Sequence, residues 1–372
     1  MWSLHAVTDD IRELFKWGVI GLIALIILIS IFNLLKGILF KPKPIGPTMY
    51  YGILPSIPFP KSAVSQQLTY TLDTINGKVS IIDPTTNQAE IVPTLINVYK
   101  IIHPQPSLTS LQDARDKALA AGFVDPSDNT KPVVEQRITD TLYQWSTNDP
   151  LSRSLTMDIN TYNFHIISQY LTNPAVLSAT NVPSDQDALS QSQNLITSMN
   201  ILPDDLDSSL TKTTDYVIEN SIIRPAQANE NVMAVKTNFF QNAINGYTIY
   251  YPNFPDSTMN ILITGGDTAS QVAQATFVHH KIDMTSGSTY PLKTPDQAYA
   301  ELEAGNGYIT PSFTGSNSVD VRTVNLGYYL GETDQDYLMP IYIFQGGNNF
   351  TAYVSAINDA LISTASATPT DL

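Results

Sequence analysis

The longest apolar stretch of the chain lies near its N-terminus and reads WGVIGLIALIILISIFNLL, residues 17–35. It contains no charged residue, and as a helix rising ~1.5 Å per residue it would cross the ~30 Å hydrocarbon core of a bilayer. A cleavable signal peptide has a shorter apolar run before a small-residue cleavage site, and a buried soluble helix is rarely apolar on every face. The pattern therefore predicts a single-pass transmembrane helix over residues 17–40, after a short N-terminal tail (1–16).

A proline-rich segment follows the apolar stretch. Residues 41–61, KPKPIGPTMYYGILPSIPFPK, hold six prolines. Repeated proline disfavours helix and removes backbone donors, so the pattern indicates an extended, semi-rigid stalk. A proline-rich ligand for a partner domain is the alternative interpretation.

Residues 62–182 combine β-like runs with one helical segment. Asn76-Gly77 stands between two runs rich in Thr, Val and Ile, which favours a hairpin. Residues 110–123 have apolar or small residues at helical spacing, with Ser110 as N-cap and Gly122 near the C-terminal end. Further strands are predicted at 94–102, 139–147 and 153–168. The pattern indicates a first α+β domain.

Residues 183–362 repeat this mixture at greater length. A helix is predicted over 184–199, where Ser184 and Asp187 fit a loose capping box. A turn at 201–206 leads into a second predicted helix. Strands are expected at 232–241, 246–253, 259–266, 274–283, 321–331 and 337–347. The pattern indicates a second α+β domain, followed by a disordered tail over 363–372.

One helical unit occurs twice. Residues 292–309, LKTPDQAYAELEAGNGYI, place Thr294 at the N-cap, Pro295 at the first helical position and Gln297 in a capping box. A looser version, LTSLQDARDKALAAGFV, occupies 108–124. Each unit lies between β runs, as a helix on one face of an antiparallel sheet requires. The predicted fold class is therefore α+β, with two domains of antiparallel sheet and helices packed on one face; a true duplication is the alternative to two similar domains.

The end of the second domain carries a family resemblance. The residues concerned are TPDQAYAELEAG (294–305), TVNLGYYLG (323–331), YLMPIYIF (337–344) and FTAYVSAI (350–357). In this order of helix, strand, strand and strand, the segment 290–362 resembles the PepSY domain and the related C-terminal part of the YycH/YycI family of extracytoplasmic regulators. The resemblance implies a non-enzymatic protein that binds or restrains a partner, such as a membrane sensor kinase or a protease precursor. The proline-rich stalk and the acidic body depart from that pattern.

Charge and cysteine content restrict the function classes. Residues 1–44 hold five Lys/Arg and three Asp/Glu, a net charge of +2, whereas residues 45–372 hold 14 Lys/Arg and 31 Asp/Glu, a net charge of −17. Such an acidic body repels nucleic acid and anionic headgroups. The absence of cysteine excludes disulfides, thiolate catalysis and cysteine-based metal sites. Flanking charges do not decide the orientation of the anchor; the low Lys/Arg content and the lack of cysteine favour an extracytoplasmic body.

Catalytic and metal-binding motifs are not recognisable in the sequence. His279-His280 lies in a predicted strand, where neighbouring side chains point to opposite faces and would not share an ion. The SxxK-like pair Ser209 and Lys212 lacks the accompanying elements in the required order, because the SxN-like Ser198 precedes it. The remaining candidates are acidic clusters, interpreted as solvated turns rather than calcium sites: Asp204, Asp205, Asp207, Asp334 and Asp336. We therefore expect no catalytic, cofactor or metal site.

Tyrosine pairs supply the one candidate contact surface. In strands, one ring of each of the pairs Tyr250-Tyr251 and Tyr328-Tyr329 would be buried and the other exposed. Exposed tyrosines provide large contact area at low entropic cost, whereas ordinary β-propensity is the alternative explanation. The sequence thus predicts a membrane-anchored, extracytoplasmic, non-catalytic protein that binds or regulates an envelope partner. The alternatives are a structural or adhesive component that binds glycan or peptidoglycan, and an unrecognised envelope hydrolase.

Overall fold

The computed structural model describes residues 22, 25, 30, 46–62, 64, 68–72, 74, 79–81, 92–267, 271–315 and 317–363. The chain divides into two compact units, residues 1–47 and 48–372. In the first unit Leu22, Leu25 and Ser30 are helical. The predicted N-terminal tail, the rest of the predicted anchor, the Asn76-Gly77 turn of the predicted hairpin and tail residues 364–372 lie outside the described residues. Within the described residues, no helix combines the length and apolar character needed to span a bilayer.

The described part of the second unit is built mainly from strands. In chain order they are β1 Thr69–Leu72, β2 Leu95–Ile101, β3 Val124–Asp125, β4 Asp128–Pro132, β5 Glu135–Arg137, β6 Leu142–Ser146, β7 Ser154–Asp158, β8 Phe164–Ile167, β9 Lys212–Glu219, β10 Ile222–Pro225, β11 Ala234–Phe239, β12 Ile249–Tyr250, β13 Met259–Thr264, β14 Gln271–Phe277, β15 Ile282–Pro291, β16 Tyr308–Ile309, β17 Ser318–Tyr329, β18 Tyr337–Gly346 and β19 Thr351–Ser355. The helices are α1 Ser110–Ala120, α2 Pro174–Leu177, α3 Asp185–Ser198 and α4 Pro295–Glu303, with 3-10 turns at Tyr170–Thr172 and Asp359–Leu361.

The predicted fold class, α+β in two domains, is wrong. Strands make up 38% of the described residues and helices 16%, and the described strands form three sheets. The helix predicted after residues 201–206 is instead β9, whose Thr-Thr-Asp-Tyr-Val-Ile run has high β-propensity. The largest sheet also crosses the expected domain boundary at 182/183, because it combines β5–β8 with β9, β10, β11, β13 and β14.

The nine-stranded sheet has the order β10-β9-β11-β13-β14-β8-β7-β6-β5 and is antiparallel throughout. Helices α1 and α3 pack on its inner face, where the small residues Ala114, Ala118 and Ala188 are fully buried and allow close approach. On the outer face, a second cluster covers only part of the sheet, with Leu151 and Tyr170 packed over the β9, β11 and β13 end.

The eight-stranded sheet has the order β1-β17-β18-β19-β16, with β12 beside β17 and β2 joining β15 to β18. Helix α4 packs on β19 and buries Ala298 and Leu302. Its capping box is confirmed: the Thr294 hydroxyl accepts from the Gln297 amide and the Gln297 side chain accepts from the Thr294 amide.

The other predicted helix starts have mixed outcomes. The Ser184 cap of α3 is confirmed, because its hydroxyl accepts from the amide of Asp187. Helix α1 begins at Ser110, so this residue is not its N-cap; Thr109 holds that position and makes no side-chain capping bond.

Residues 48–60, which we call the docked segment, do not form a free stalk. The Met49 amide donates to the Thr289 carbonyl at 3.2 Å, and the Leu54 amide donates to the Leu361 carbonyl at 2.8 Å. The Leu54 side chain is fully buried, and the Phe59 ring stacks on Tyr308. The prolines here shape a segment that is part of the core, contrary to the extended stalk predicted over this part of 41–61.

Candidate functional site

A groove of about 550 Å³ lies between α1 and the start of β5. The residues that line it are Gln112, Arg115, Leu119, Asp125, Thr130, Lys131, Pro132, Val133, Val134 and Glu135. Its walls combine both signs of charge with aliphatic side chains, a mixture that suits a peptide better than a compact ion.

An ion pair fixes the floor of this groove. Arg115 Nε and Nη2 each donate to the carboxylate of Glu135 at 2.7 Å, and the Trp145 indole N–H donates to the same carboxylate at 3.0 Å. The hydrogen bond from Arg115 is the main cause that lowers the pKa of Glu135. A bidentate pair of this kind holds β5 in one position against α1 and β6.

Among the described strands, β5 is an edge of the nine-stranded sheet, and no described strand pairs with its outward backbone groups. The Ser146 amide donates to the Val134 carbonyl at 3.2 Å, and the Ile138 amide donates to the Leu142 carbonyl at 2.9 Å. In an antiparallel pair the hydrogen-bonded positions alternate. The N–H and C=O groups of Glu135 and Arg137 therefore point away from β6.

Apolar side chains flank this edge. Val134, at the rim of the groove, is 73% exposed, and Ile138, just after the strand, is 46% exposed. Natural proteins usually protect an edge strand because its free backbone groups are a template for pairing with another chain. The β5 edge has the apolar flanks and free donors that such pairing uses.

The opposite edge, β10, is closed. The Ala226 amide donates to the Asp215 carbonyl, so the outward positions of β10 are Ile223 and Pro225. Pro225 has no N–H to offer. The neighbouring Arg224 is held by the carboxylates of Glu230 and Glu219.

A second pocket, of about 340 Å³, lies beside α4. Lys293 is buried in its wall, with its ammonium 2.5 Å from a carboxylate oxygen of Glu301 and 2.6 Å from one of Asp359. Burial raises the pKa of Glu301, against the opposing effect of Lys293. Because two carboxylates already neutralise the ammonium, this arrangement ties α4 to the 3-10 turn at 359–361.

Three histidines gather near the loop between β17 and β18, but they bond to different partners. His279 Nε2 lies 2.8 Å from Asp205, and the two ring nitrogens of His103 lie 3.1 Å from Asp334 and 3.3 Å from Asp336. His280 contacts the Gly331 carbonyl, and burial lowers its pKa to about 4. The expected strand position of His279-His280 is wrong, since both follow the end of β14. The described residues contain no group of three or more His, Cys, Asp or Glu side chains that could hold a metal ion.

The tyrosines predicted as a partner surface are core residues. Tyr251, Tyr328 and Tyr329 are at most 1% exposed, and Tyr250 is half-buried. Tyr328 packs between Tyr99 and Tyr247. Tyr329 packs against Phe59 and Tyr353. The expected alternation of a buried and an exposed ring failed because β17 is covered on both faces, so neither Tyr328 nor Tyr329 reaches solvent.

The other sequence candidates lie in structural turns or helices. The Ser209 hydroxyl donates to Asp207 at 2.6 Å, Lys212 begins β9, and Ser198 lies at the end of α3. Asp205 accepts from Gln241 as well as contacting His279. Sequence reasoning missed the β5 edge, because the three-residue strand Glu-Gln-Arg carries no hydrophobic pattern. The available signal was the Val133-Val134 pair before it, of which Val133 is buried and Val134 is exposed.

Comparison with known proteins does not assign the chain to a family. No protein-family model and no curated protein matches the chain. Among solved structures it is similar to the crystal structure of an uncharacterised protein from Eubacterium rectale, with 11% identity, a TM-score of 0.39, and coverage of 79% of this chain and 90% of that one. A likeness at this level carries no argument about function, and the PepSY and YycH/YycI resemblance stays a prediction.

Proposed function

We propose that this chain is a non-catalytic, extracytoplasmic, membrane-attached protein that binds another envelope protein by pairing an extended segment of it with β5. The observation that supports this is the unpaired edge of the nine-stranded sheet beside the α1 groove. Main-chain hydrogen bonds to an edge give affinity, and pockets for alternate side chains give specificity.

The geometry defines what the incoming segment contacts. Its backbone pairs with the outward N–H and C=O groups of Glu135 and Arg137. Its side chains alternate between the two faces of the sheet, so one set lies beside Ile138 and the other lies in the groove beside Arg115. The tyrosine surface that motivated the glycan-binding alternative is buried, so we keep protein binding as the single proposal.

Site-specific photo-crosslinking tests the binding role. A crosslinking amino acid at Val134 is expected to capture a discrete envelope protein, whereas the same group at Ile222, exposed beside the closed β10 edge, is expected to capture none. Arg137→Pro removes an outward N–H without removing a bond to β6, so it should abolish capture in a folded protein. Equal capture from both edges, or capture that survives Arg137→Pro, contradicts the proposal.

The location is tested separately. The membrane attachment rests on the sequence of residues 17–35, and the extracytoplasmic placement rests on the composition of the body. Ser127 is exposed in the turn between β3 and β4, and the chain has no cysteine, so Ser127→Cys provides a single labelling site. A membrane-impermeant maleimide should label it in intact spheroplasts; labelling only after lysis would place the body inside.

A further inference from the structure

An apolar turn projects from the docked segment. The Gly52 amide donates to the Met49 carbonyl at 3.0 Å, and both residues have positive φ angles, 65° and 43°. Within this turn Tyr50 is 77% exposed and Met49 is 36% exposed, and Ile53 just after it is 67% exposed. We call Met49, Tyr50 and Ile53 the apolar turn.

Hydrogen bonds from backbone amides fix the turn on the body, and its exposed side chains lie outside the core. The Tyr50 amide donates to the Ser288 hydroxyl at 2.9 Å, and the Tyr51 amide donates to the Tyr290 hydroxyl at 3.1 Å. The side chain of Tyr51, between the exposed residues, packs against the core, and that of Leu54, just after them, is buried in it. The remaining apolar side chains therefore form a preformed contact surface.

The position of the turn in the chain indicates what it contacts. Only residues 36–47 separate the apolar run from the body, and a fully extended chain of that length reaches about 40 Å. A tether this short gives a high effective concentration of bilayer at the turn, so a few side chains suffice for contact. Tyrosine with aliphatic neighbours is the composition that favours the membrane interface.

We propose that the apolar turn contacts the headgroup region of the bilayer to which residues 17–35 attach the chain, which rests on the membrane attachment proposed above. The contact is apolar rather than electrostatic. Residues 45–372 carry a net charge of −17, and the Lys100 ammonium lies over the ring of Tyr51, 5.4 Å from its centroid. A membrane surface of zwitterionic lipids, which carries no net charge, therefore suits the turn better than an anionic one.

Fluorescent labelling of the full chain tests this contact. Tyr50→Cys and Ile53→Cys, each carrying an environment-sensitive fluorophore, are reconstituted into phosphatidylcholine vesicles with and without lipids brominated on their tails. The control is Leu108→Cys, because Leu108 is fully exposed in the loop before α1. We expect a blue shift of emission and quenching by brominated lipid at positions 50 and 53, and neither effect at 108.

Two results overturn the inference. Emission at 50 and 53 equal to that at 108 shows that the turn stays in water. A blue shift that disappears when the protein is diluted at constant lipid shows that a second copy of the chain covers the turn. Vesicle flotation separates this failure from failure of the attachment: a chain that floats without the blue shift contradicts the turn contact alone, and a chain that does not float contradicts both.

Discussion

The two edges of the nine-stranded sheet are both short strands at the rim of one sheet, yet they present different backbone chemistry. On β10 one of the two outward positions is Pro225, which has no N–H, and Arg224 is held by two carboxylates. On β5 the outward positions are Glu135 and Arg137, and both have an N–H. The β10 edge is closed to further pairing, and the β5 edge is open.

Hydrophobicity does not separate the two edges. Val134 is 73% exposed next to β5, and Ile222 is 65% exposed on β10. An exposed aliphatic side chain is therefore a poor indicator of a binding edge in this sheet. The difference is in the backbone donors and in the groove that α1 forms beside β5.

The largest expected effect concerns the support beneath each edge. Trp145 of β6 is fully buried in the main core, whereas Tyr216 of β9 belongs to the smaller second cluster. Trp145→Ala should lower the free energy of unfolding by about 4 kcal/mol and Tyr216→Ala by about 2 kcal/mol. Urea unfolding measures both values, and equal losses would show that the two edges rest on equally strong cores.

The next effect concerns the ion pairs that hold each edge. Glu135→Ala leaves the Arg115 guanidinium and the Trp145 N–H without their carboxylate partner, and should cost about 2 kcal/mol of unfolding free energy. Glu230→Ala is the matched change at β10. The Glu230 side chain is 30% exposed against 23% for Glu135, and it has no indole N–H partner to leave unpaired, so the loss should be smaller. Thermal unfolding of the two variants compares them; a larger loss for Glu230→Ala would reverse the order of the two anchors.

Partner binding should distinguish the edges with little change in stability. Val134→Lys places a charge beside the open edge and should weaken partner capture about tenfold, or about 1.4 kcal/mol. Ile222→Lys is the control, and it should leave capture unchanged. Each exposed substitution should change the unfolding free energy by no more than about 0.5 kcal/mol. Loss of binding in both variants would indicate a general charge effect.

The smallest expected effect is the pH dependence of the two carboxylates. Arg115 lowers the pKa of Glu135, and Arg224 lowers the pKa of Glu230 to about 2. Since both folded pKa values lie below the unfolded value of about 4.3, each contribution to stability is complete above that pH and is lost as the pH falls through the folded pKa. NMR titration of the carboxyl carbons should show both groups protonating below the unfolded value of about pH 4.3. If Glu135 protonated at or above that pH, the Arg115 contact would be weaker than its geometry indicates.

Local signals in the sequence predicted local structure well. Thr294, Pro295 and Gln297 specify the start of α4 through contacts within one helical turn, and Ser184 does the same for α3. Such caps depend on residues three positions apart, so they can be recognised without the tertiary structure.

Those local signals could not predict which strands pair when they are distant in sequence. The fold class was wrong because strands from both halves of the chain share the nine-stranded sheet, and no periodicity reveals which strand pairs with which. The same limit applies to Tyr328 and Tyr329, whose strand is covered on both faces by residues distant in sequence. The β5 edge could not be predicted for a third reason. A strand is an edge only if no further strand pairs with it in the described sheet, and a local sequence pattern does not contain that information.

The docked segment also determines how the body would bear mechanical load. Tension on the chain before residue 48 reaches the body first through the bonds of Thr48 and Met49 to Thr289 and of Tyr50 to Ser288. It then reaches Leu54, which bonds to Leu361 and Ser363. These contacts join the start of the body to its last described residues. A force applied from the N-terminal side is thereby shared between β15 and residues 361–363 before it reaches the nine-stranded sheet. The β5 edge would therefore stay folded for as long as the bonds of the docked segment remain intact.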